Sequence, residues 1–445
     1  MKKLLSLILS VIILFVLALP VSAAGFTPPF EITAASAYMV NLDTGLVLYE
    51  KNADEKRSVA SLTKLMTVLL FLEAIPPQEM DSTMIYADPG LYVYPVVGAG
   101  GSSADILPHD EVPASYVLYG MLLPSGNEAA AIAAFYVGGG NLENFYAMMN
   151  AKAKALGCVN TNFTNPHGLE GIEKQNYSTA RDMFLIAQEC WKHELFRTVV
   201  STNSYDIPLT KKHPTPRNPA KPNSYDTLYT TNLMQRSKNS AIYRDYIKGI
   251  KTGSTEEAGR NFVSSASKDG MTYLTVVLGA PWEPAEDGMA YSFHDTAALC
   301  DWAFKNYEVR PALDPLAPIN EIKLNYSRES DVLKLFPSEE LKTILPKDAD
   351  ASVLQKKFYM PDSIDAPVKQ GDIIGKVTLS LAGEIIGTVD LLSGQDVERN
   401  MTLFLLGKTK DFLQSTYFRV LICVSAVTIA GYVAAAVILH SKHKR

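Results

Sequence analysis

Residues Val420 to Leu439 contain no charged side chain. As a helix, that run is long enough to cross about 30 Å of hydrocarbon. Arg419 precedes it and His440-Ser441-Lys442-His443-Lys444-Arg445 follows, so the basic end is expected to face the cytoplasm. A buried core helix is the alternative, and the basic flank and terminal position argue against it. The other end of the chain has its own apolar run. Lys2 and Lys3 precede Leu4 to Leu19, and Pro20-Val21-Ser22-Ala23-Ala24 ends in small residues. This is the pattern of a secretory signal cut after Ala23 or Ala24, with a retained signal anchor as the alternative. Together the two runs confine the folded part to residues 25 to about 415 and put it outside the cell.

That location governs how the cysteines are read. Of four, Cys423 falls in the apolar run, leaving Cys158, Cys190 and Cys300. Three is an odd number and their spacing suits no metal, so no disulfide framework is expected, although one bridge stays open. His193-Glu194-Leu195-Phe196-Arg197 lacks the second histidine of a zinc helix, and no metal or cofactor is expected. The net charge of -6 gives no reason to expect a nucleic acid partner.

Several segments declare their local structure. "SAYMVNLDTGLVLYE", residues 36 to 50, reads as a hairpin around a polar turn. Its single Asp-Thr-Gly is explained by the turn without invoking an aspartic protease. The stretch 86 to 113 is irregular and reads as a flap. Glu128 to Val137 is alanine-rich and helical, ended by Gly138 to Gly140, which no Lys-Ser/Thr follows as a phosphate loop requires. Residues 204 to 240 are polar and rich in Pro and Asn, hence a surface excursion. Two strands joined at Lys268-Asp269-Gly270 follow, then an amphipathic helix from His294. Composition shifts near Pro311 to Pro318. The expected organisation is a signal at 1–24, a first domain at 25–310, a β-rich domain at 316–398, a linker at 399–419, a spanning helix at 420–439 and a cytoplasmic tail at 440–445.

The chemistry concentrates in the first domain. "SVASLTKLMT", residues 58 to 67, sets Ser61 and Lys64 one turn apart on a helix whose other residues are largely apolar. A buried ammonium is costly unless it is paired or deprotonated, and a deprotonated one can take a proton from a serine. Taken alone, the pair fits equally a lysine snorkelling out of an ordinary helix. Two further strings change the balance. Ser125-Gly126-Asn127 stands just before a helix, and Lys251-Thr252-Gly253-Ser254 stands at a strand edge. An acyl transfer needs a nucleophile, a base, an oxyanion site and a means of holding substrate. Ser61 supplies the hydroxyl. Lys64 is the base, its pKa lowered by burial and by Lys251. Ser125 relays the proton to the leaving amine, and Asn127 holds the substrate backbone. Lys251, Thr252 and Ser254 hold a terminal carboxylate, and the N–H groups of Ser61 and Ser254 are candidates for the oxyanion site. Gly253 is expected to let substrate approach the strand. His167, in "NPHGL", either touches the site or shapes its loop.

With these three strings, "VNLDTGLVLYEKNADEKRSVASLTKLMT", "LLPSGNEAA", "TNFTNPHGL", "GIKTGSTEEAGRNFV" and "TVVLGA" resemble, in order, the D-alanyl-D-alanine carboxypeptidases among the low-molecular-mass penicillin-binding proteins. The resemblance covers about residues 33 to 308, and more loosely the β-rich segment after it. It implies an α+β fold of the DD-peptidase and β-lactamase kind: an antiparallel sheet covered by helices, plus a helical lobe, with the site between. A small β-rich domain and a C-terminal transmembrane helix would follow. It also implies removal of the terminal D-alanine from peptidoglycan stem peptides through an acyl-enzyme, and covalent capture by β-lactams. The chain departs from the pattern at "LPHDEV" within 86–113 and in an insertion around 215 to 230. Position 126 is Gly where the signature of the wider superfamily has Asp.

Three rivals share the residues. A class A-like β-lactamase needs a glutamate to activate the deacylating water, and the only Glu-x-x-Leu-Asn string, Glu321 to Asn325, follows Lys251-Thr252-Gly253 in the wrong order. A non-catalytic penicillin-binding sensor would normally carry a cytoplasmic output element, for which six residues leave no room. A DD-endopeptidase acting on cross-links would use the same groups.

Overall fold

The computed structural model describes residues 27–92, 101–169, 176–349, 353–381 and 383–442. The expected signal at 1–24, residues 93–100 of the expected flap, and residues 443–445 of the expected tail lie outside them. The chain divides into two units: residues up to Val309 together with Ile344–Asp348, and the remainder.

The first unit is built on a five-stranded antiparallel sheet. Its strands are β1 (Ser36–Asn41), β2 (Val47–Lys51), β7 (Lys251–Thr255), β8 (Gly259–Lys268) and β9 (Met271–Ala280), in the order β2-β1-β9-β8-β7. The expected hairpin turn between β1 and β2 forms because Asn41 Oδ1 accepts the N–H groups of Asp43 and Thr44 at 3.1 and 2.9 Å. Strands β8 and β9 join through Asp269 and Gly270, both at positive φ, as a two-residue hairpin requires. Strand β1 is buried on both faces, so its side chains split with period two. Tyr38 and Val40 enter one core, and Ala37 and Met39 enter the other. The second core is closed by a helix, Tyr291–Asn306, whose Phe293 meets Phe262 edge-on at 5.1 Å. The first core holds the helical lobe.

That lobe is organised around helix α1 (Lys64–Ala74), whose residues Lys64 to Leu72 are all buried. A helix apolar all round belongs at the centre of a layer, and α1 packs against α2 (Ala114–Leu122), α3 (Asn127–Val137), α4 (Leu142–Ala155) and α5 (Ala180–Trp191). Short strands β3 (Met84–Tyr86) and β4 (Glu111–Pro113) pair beside it. Within the polar excursion from 204, β5 (Ser204–Pro208) and β6 (Ser224–Tyr229) form an antiparallel pair. Cys158, Cys190 and Cys300 are buried free thiols.

The second unit holds a six-stranded sheet that includes Asn320–Asn325, Val332–Pro337, Ile373–Leu381 and Glu384–Ser393. The expected linker at 399–419 is instead helical: Met401–Gln414 forms one helix, and a single residue, Ser415, separates it from another, Thr416–Lys442. The first of these is held because Phe404 packs edge-on against Tyr326 at 5.3 Å and Asn400 caps it through Leu403 N. No residue of Thr416–His440 is buried, and its mean hydropathy is 2.4.

Candidate active site

Ser61 does not sit within α1 but on the 3-10 turn Ala60–Thr63 that leads into it. Ala60 is held at φ +47, a conformation disfavoured for any residue with a side chain. The turn is gripped from two sides. A Cβ on Gly168, itself at φ +80, would stand 1.8 Å from Ala60 O, and one on Gly253 would stand 2.8 Å from Val59 O and 3.0 Å from Leu62 N. Both partners are backbone, which cannot swing aside. Gly253 is therefore required for β7 to lie against the serine turn, a different reason from the substrate approach expected of it. Thr67 Oγ1 on α1 donates to Pro166 O at 2.6 Å, and Asn176 Nδ2 donates to both Thr63 Oγ1 and Asn165 O at 3.1 Å, which fastens the "NPHGL" loop to the helix and to the serine turn.

Lys64 is completely buried. Its Nζ lies 2.8 Å from Ser61 Oγ, 2.9 Å from Asn127 Oδ1 and 2.8 Å from the carbonyl oxygen of His167. Burial holds this amine well below the ordinary lysine range, Lys251 pushes it further down, and Glu128 opposes them. The two carbonyl-type oxygens only accept, so they occupy both hydrogens of a neutral amine. Its lone pair is then left for the Ser61 hydroxyl. The position at the N-terminus of α1 also disfavours a cation there.

Ser125 lies at φ +70, a second strained non-glycine residue at the site. Asn127 opens α3, with Gly126 before it. A Cβ on Gly126 would stand 2.8 Å from Ala104 Cβ and 2.9 Å from Ala104 N, which explains a glycine here. Ser125 Oγ and Asn127 Nδ2 are buried and have no hydrogen-bond partner among the described residues. Unpaired buried polar atoms are uncommon and costly, and here both belong to residues singled out for substrate and proton handling. Glu128 is buried as well, and burial raises its carboxyl pKa against the hydrogen bonds from Ser103 Oγ and Ala104 N.

Among the described strands, β7 is at the edge of the sheet and pairs with β8. Lys251 is buried, donates to Thr252 O at 2.9 Å, and is brought down by burial to about 7. Thr252 Oγ1 lies 2.7 Å from Thr231 Oγ1, and Ser254 is exposed opposite Arg260. The structure thus brings Ser61, Lys64 and Asn127 into direct contact and sets Lys251 close enough to act on Lys64. His167 reaches the site through its carbonyl. Its ring accepts from Leu169 N at 3.1 Å, and burial, then Lys64, lowers its pKa to about 3, so it is neutral and shapes the loop. Glu321 lies on a strand of the second unit, outside the residues that build this site.

Sequence reasoning missed Glu128, Asn176 and Thr231. Glu128 carried a weak signal, an acid in the first turn of a helix. Asn176 and Thr231 carried none, because their roles come from contacts between distant segments.

The arrangement agrees with comparisons across known proteins. Residues 22–282 match the family model described as D-alanyl-D-alanine carboxypeptidase, and residues 314–399 match that of the penicillin-binding protein 5 C-terminal domain. The chain is 29% identical over 376 residues to D-alanyl-D-alanine carboxypeptidase DacF of Bacillus subtilis, covering 84% of this chain and 89% of that one. It is 32% identical over 275 residues to the D-alanyl-D-alanine endopeptidase of Escherichia coli, covering 61% and 77%. Penicillin binding protein 5 of Haemophilus influenzae superposes with a TM-score of 0.62 at 26% identity, covering 84% of this chain and 100% of that one.

Proposed function

The chain belongs to the D-alanyl-D-alanine carboxypeptidase family, and from that premise we propose which of its atoms carry the reaction. It is a serine-type D-Ala-D-Ala carboxypeptidase of the penicillin-binding protein 5 kind, acting on peptidoglycan. Ser61 is the nucleophile. Its proton passes to the neutral Lys64 amine as Oγ attacks the carbonyl carbon of the penultimate D-alanine. The N–H groups of Ser61 and Ser254 receive the negative charge that develops on the carbonyl oxygen. As the C–N bond breaks, Ser125 gives its proton to the leaving amine and takes one from the Lys64 ammonium, so Lys64 is neutral again and D-alanine departs from an ester on Ser61. Water hydrolyses that ester and restores the serine. Asn127 aligns the peptide backbone, while Lys251, Thr252 and Ser254 hold the terminal carboxylate.

The observation that carries this reading is the Lys64 amine, buried with two carbonyl-type acceptors and 2.8 Å from the Ser61 hydroxyl. The test is incubation with a pentapeptide ending in D-Ala-D-Ala, followed by mass spectrometry and by peptide mapping of a β-lactam label. Loss of one alanine and a label on Ser61 support it. A label on Ser125, or stable labelling without peptide turnover, overturns it.

The exposed apolar helix Thr416–His440 suggests membrane anchoring. We infer a single-pass protein with the first unit outside the cell, where both stem peptides and β-lactams reach it. The similarity to an endopeptidase favours a second substrate for the same residues, the peptide cross-link.

A further inference from the structure

Residues 101–113 and the loop joining β5 to β6 interlock in the fold. The loop joining β5 to β6 carries Lys211, Lys212, His213, Arg217 and Lys221, a composition that suggests an anionic partner. Its charges are instead largely consumed internally: Lys211 pairs with Glu111 at 2.5 Å, Arg217 with Asp226 at 2.9 Å and Lys221 with Asp206 at 2.6 Å. The buried member is His213, 6% exposed. Its ring stacks on Tyr225 at 3.7 Å, and its Nε2 lies 2.8 Å from Asp105 O. Thr210 Oγ1 donates to Asp110, which is wholly buried, and accepts from His213 N at 3.0 Å.

The other side of the same segment touches the active site. Asn127 N donates to Ser102 O at 2.9 Å, Ser103 Oγ and Ala104 N donate to Glu128 at 2.7 and 2.5 Å, and Gly126 abuts Ala104. Residues 102–105 are thus clamped between the β5–β6 loop and the strained turn that bears Ser125. We propose that this loop is a buttress for the Ser125-Gly126-Asn127 turn and that His213 is its positioning residue. A left-handed serine persists only where its surroundings over-determine it, and the loop supplies the outer half of those surroundings. His213 touches no reacting atom; it acts through Asp105 and the segment behind it.

The proposal rests on Ser125 and Asn127 acting in the reaction, so Ser125→Ala is measured beside His213→Ala and His213→Gln in the full-length protein. The readouts are kcat and KM for a pentapeptide ending in D-Ala-D-Ala, the acylation rate with a β-lactam, and the thermal midpoint. His213→Ala is expected to lower kcat and acylation on the order of tenfold or more, well below its midpoint and with KM little changed, because a small misplacement of reacting groups is costly. His213→Gln, whose amide can donate to Asp105 O, recovers most of the rate. Thr210→Val repeats the test should His213→Ala not fold. A wild-type kcat in His213→Ala, or equal loss in His213→Gln, overturns the buttress while an inactive Ser125→Ala leaves the reading of the site standing. Full activity in Ser125→Ala overturns both.

Discussion

The amine of Lys64 and the side-chain oxygen of Asn127 stand 2.9 Å apart, although 63 residues separate them in the chain. An amide oxygen accepts a hydrogen without demanding a charge, so a lysine beside it can stay neutral. Exchange of that amide for a carboxylate reverses the preference. Asn127→Asp is expected to raise the Lys64 pKa and slow acylation near neutral pH by roughly a hundredfold or more. The acidic limb of the acylation profile should move to higher pH. Stopped-flow acylation by a fluorescent β-lactam measures both, and an unmoved limb would count against Lys64 as the base.

Lys251, brought down to about 7 by burial, predicts the alkaline side of the profile. Its cationic form, dominant below that value, is the one proposed to hold a carboxylate. kcat/KM should therefore fall as pH rises through about 7 in the free enzyme. Bound substrate stabilises the cation, so the limb in kcat should lie higher. Stability has the opposite sign: between about 7 and the ordinary lysine range the unfolded chain binds a proton that the folded one does not, so the cost of burying Lys251 shrinks as pH rises. A kcat/KM that stays flat from about pH 6 to about pH 9 would sink the assignment.

If the Lys251 edge reads a free carboxylate, a peptide ending in D-Ala-D-Ala-amide should be cut far more slowly than the free acid, and Lys251→Ala should erode that preference with the rate. Equal kcat/KM for acid and amide in the wild type would shift the proposal to the endopeptidase reaction.

Gly126→Ala drives a Cβ against Ala104, 2.8 Å from its Cβ and 2.9 Å from its backbone nitrogen. Overpacking of this kind costs about 1–3 kcal/mol. The thermal midpoint should drop and acylation slow, because the displaced segment is bonded to Asn127 and Glu128. A variant with the wild-type midpoint would show that the contact yields easily.

Two truncations separate the roles of the C-terminal helices. Every proposed active-site residue lies in the first unit, so removal of residues from 416 onward and removal from 401 onward should both leave peptide cleavage intact. They should differ in partitioning. Met401–Gln414 exposes Leu405, Leu406, Phe412 and Leu413, an apolar set expected to keep lipid affinity once the C-terminal apolar helix is removed. Sedimentation with vesicles distinguishes them, and membrane retention of the shorter protein would mean that another surface binds lipid.

The three strings around Ser61, Ser125 and Lys251 were legible because each is a local word whose residue types are set by chemistry and whose neighbours set a turn, a helix start or a strand. The hairpin at Asn41 to Gly45 and the Asp269-Gly270 turn were legible for the same reason: local hydrogen bonds and dihedral preferences decide them. The helix Met401–Gln414 was not, since its sequence mixes apolar and polar residues without a clean stripe and Tyr326 supplies the packing that fixes it. What the sequence by itself determined was therefore the inventory of the site and the elements that carry it. Tertiary structure alone decided which oxygens meet the buried Lys64 amine, that Gly253 serves the serine turn, and that His213 stands behind Ser102 to Asp105. Each of these depends on burial and on contacts between segments far apart in the chain, and a pKa or a close approach is set by what surrounds a group rather than by what precedes it.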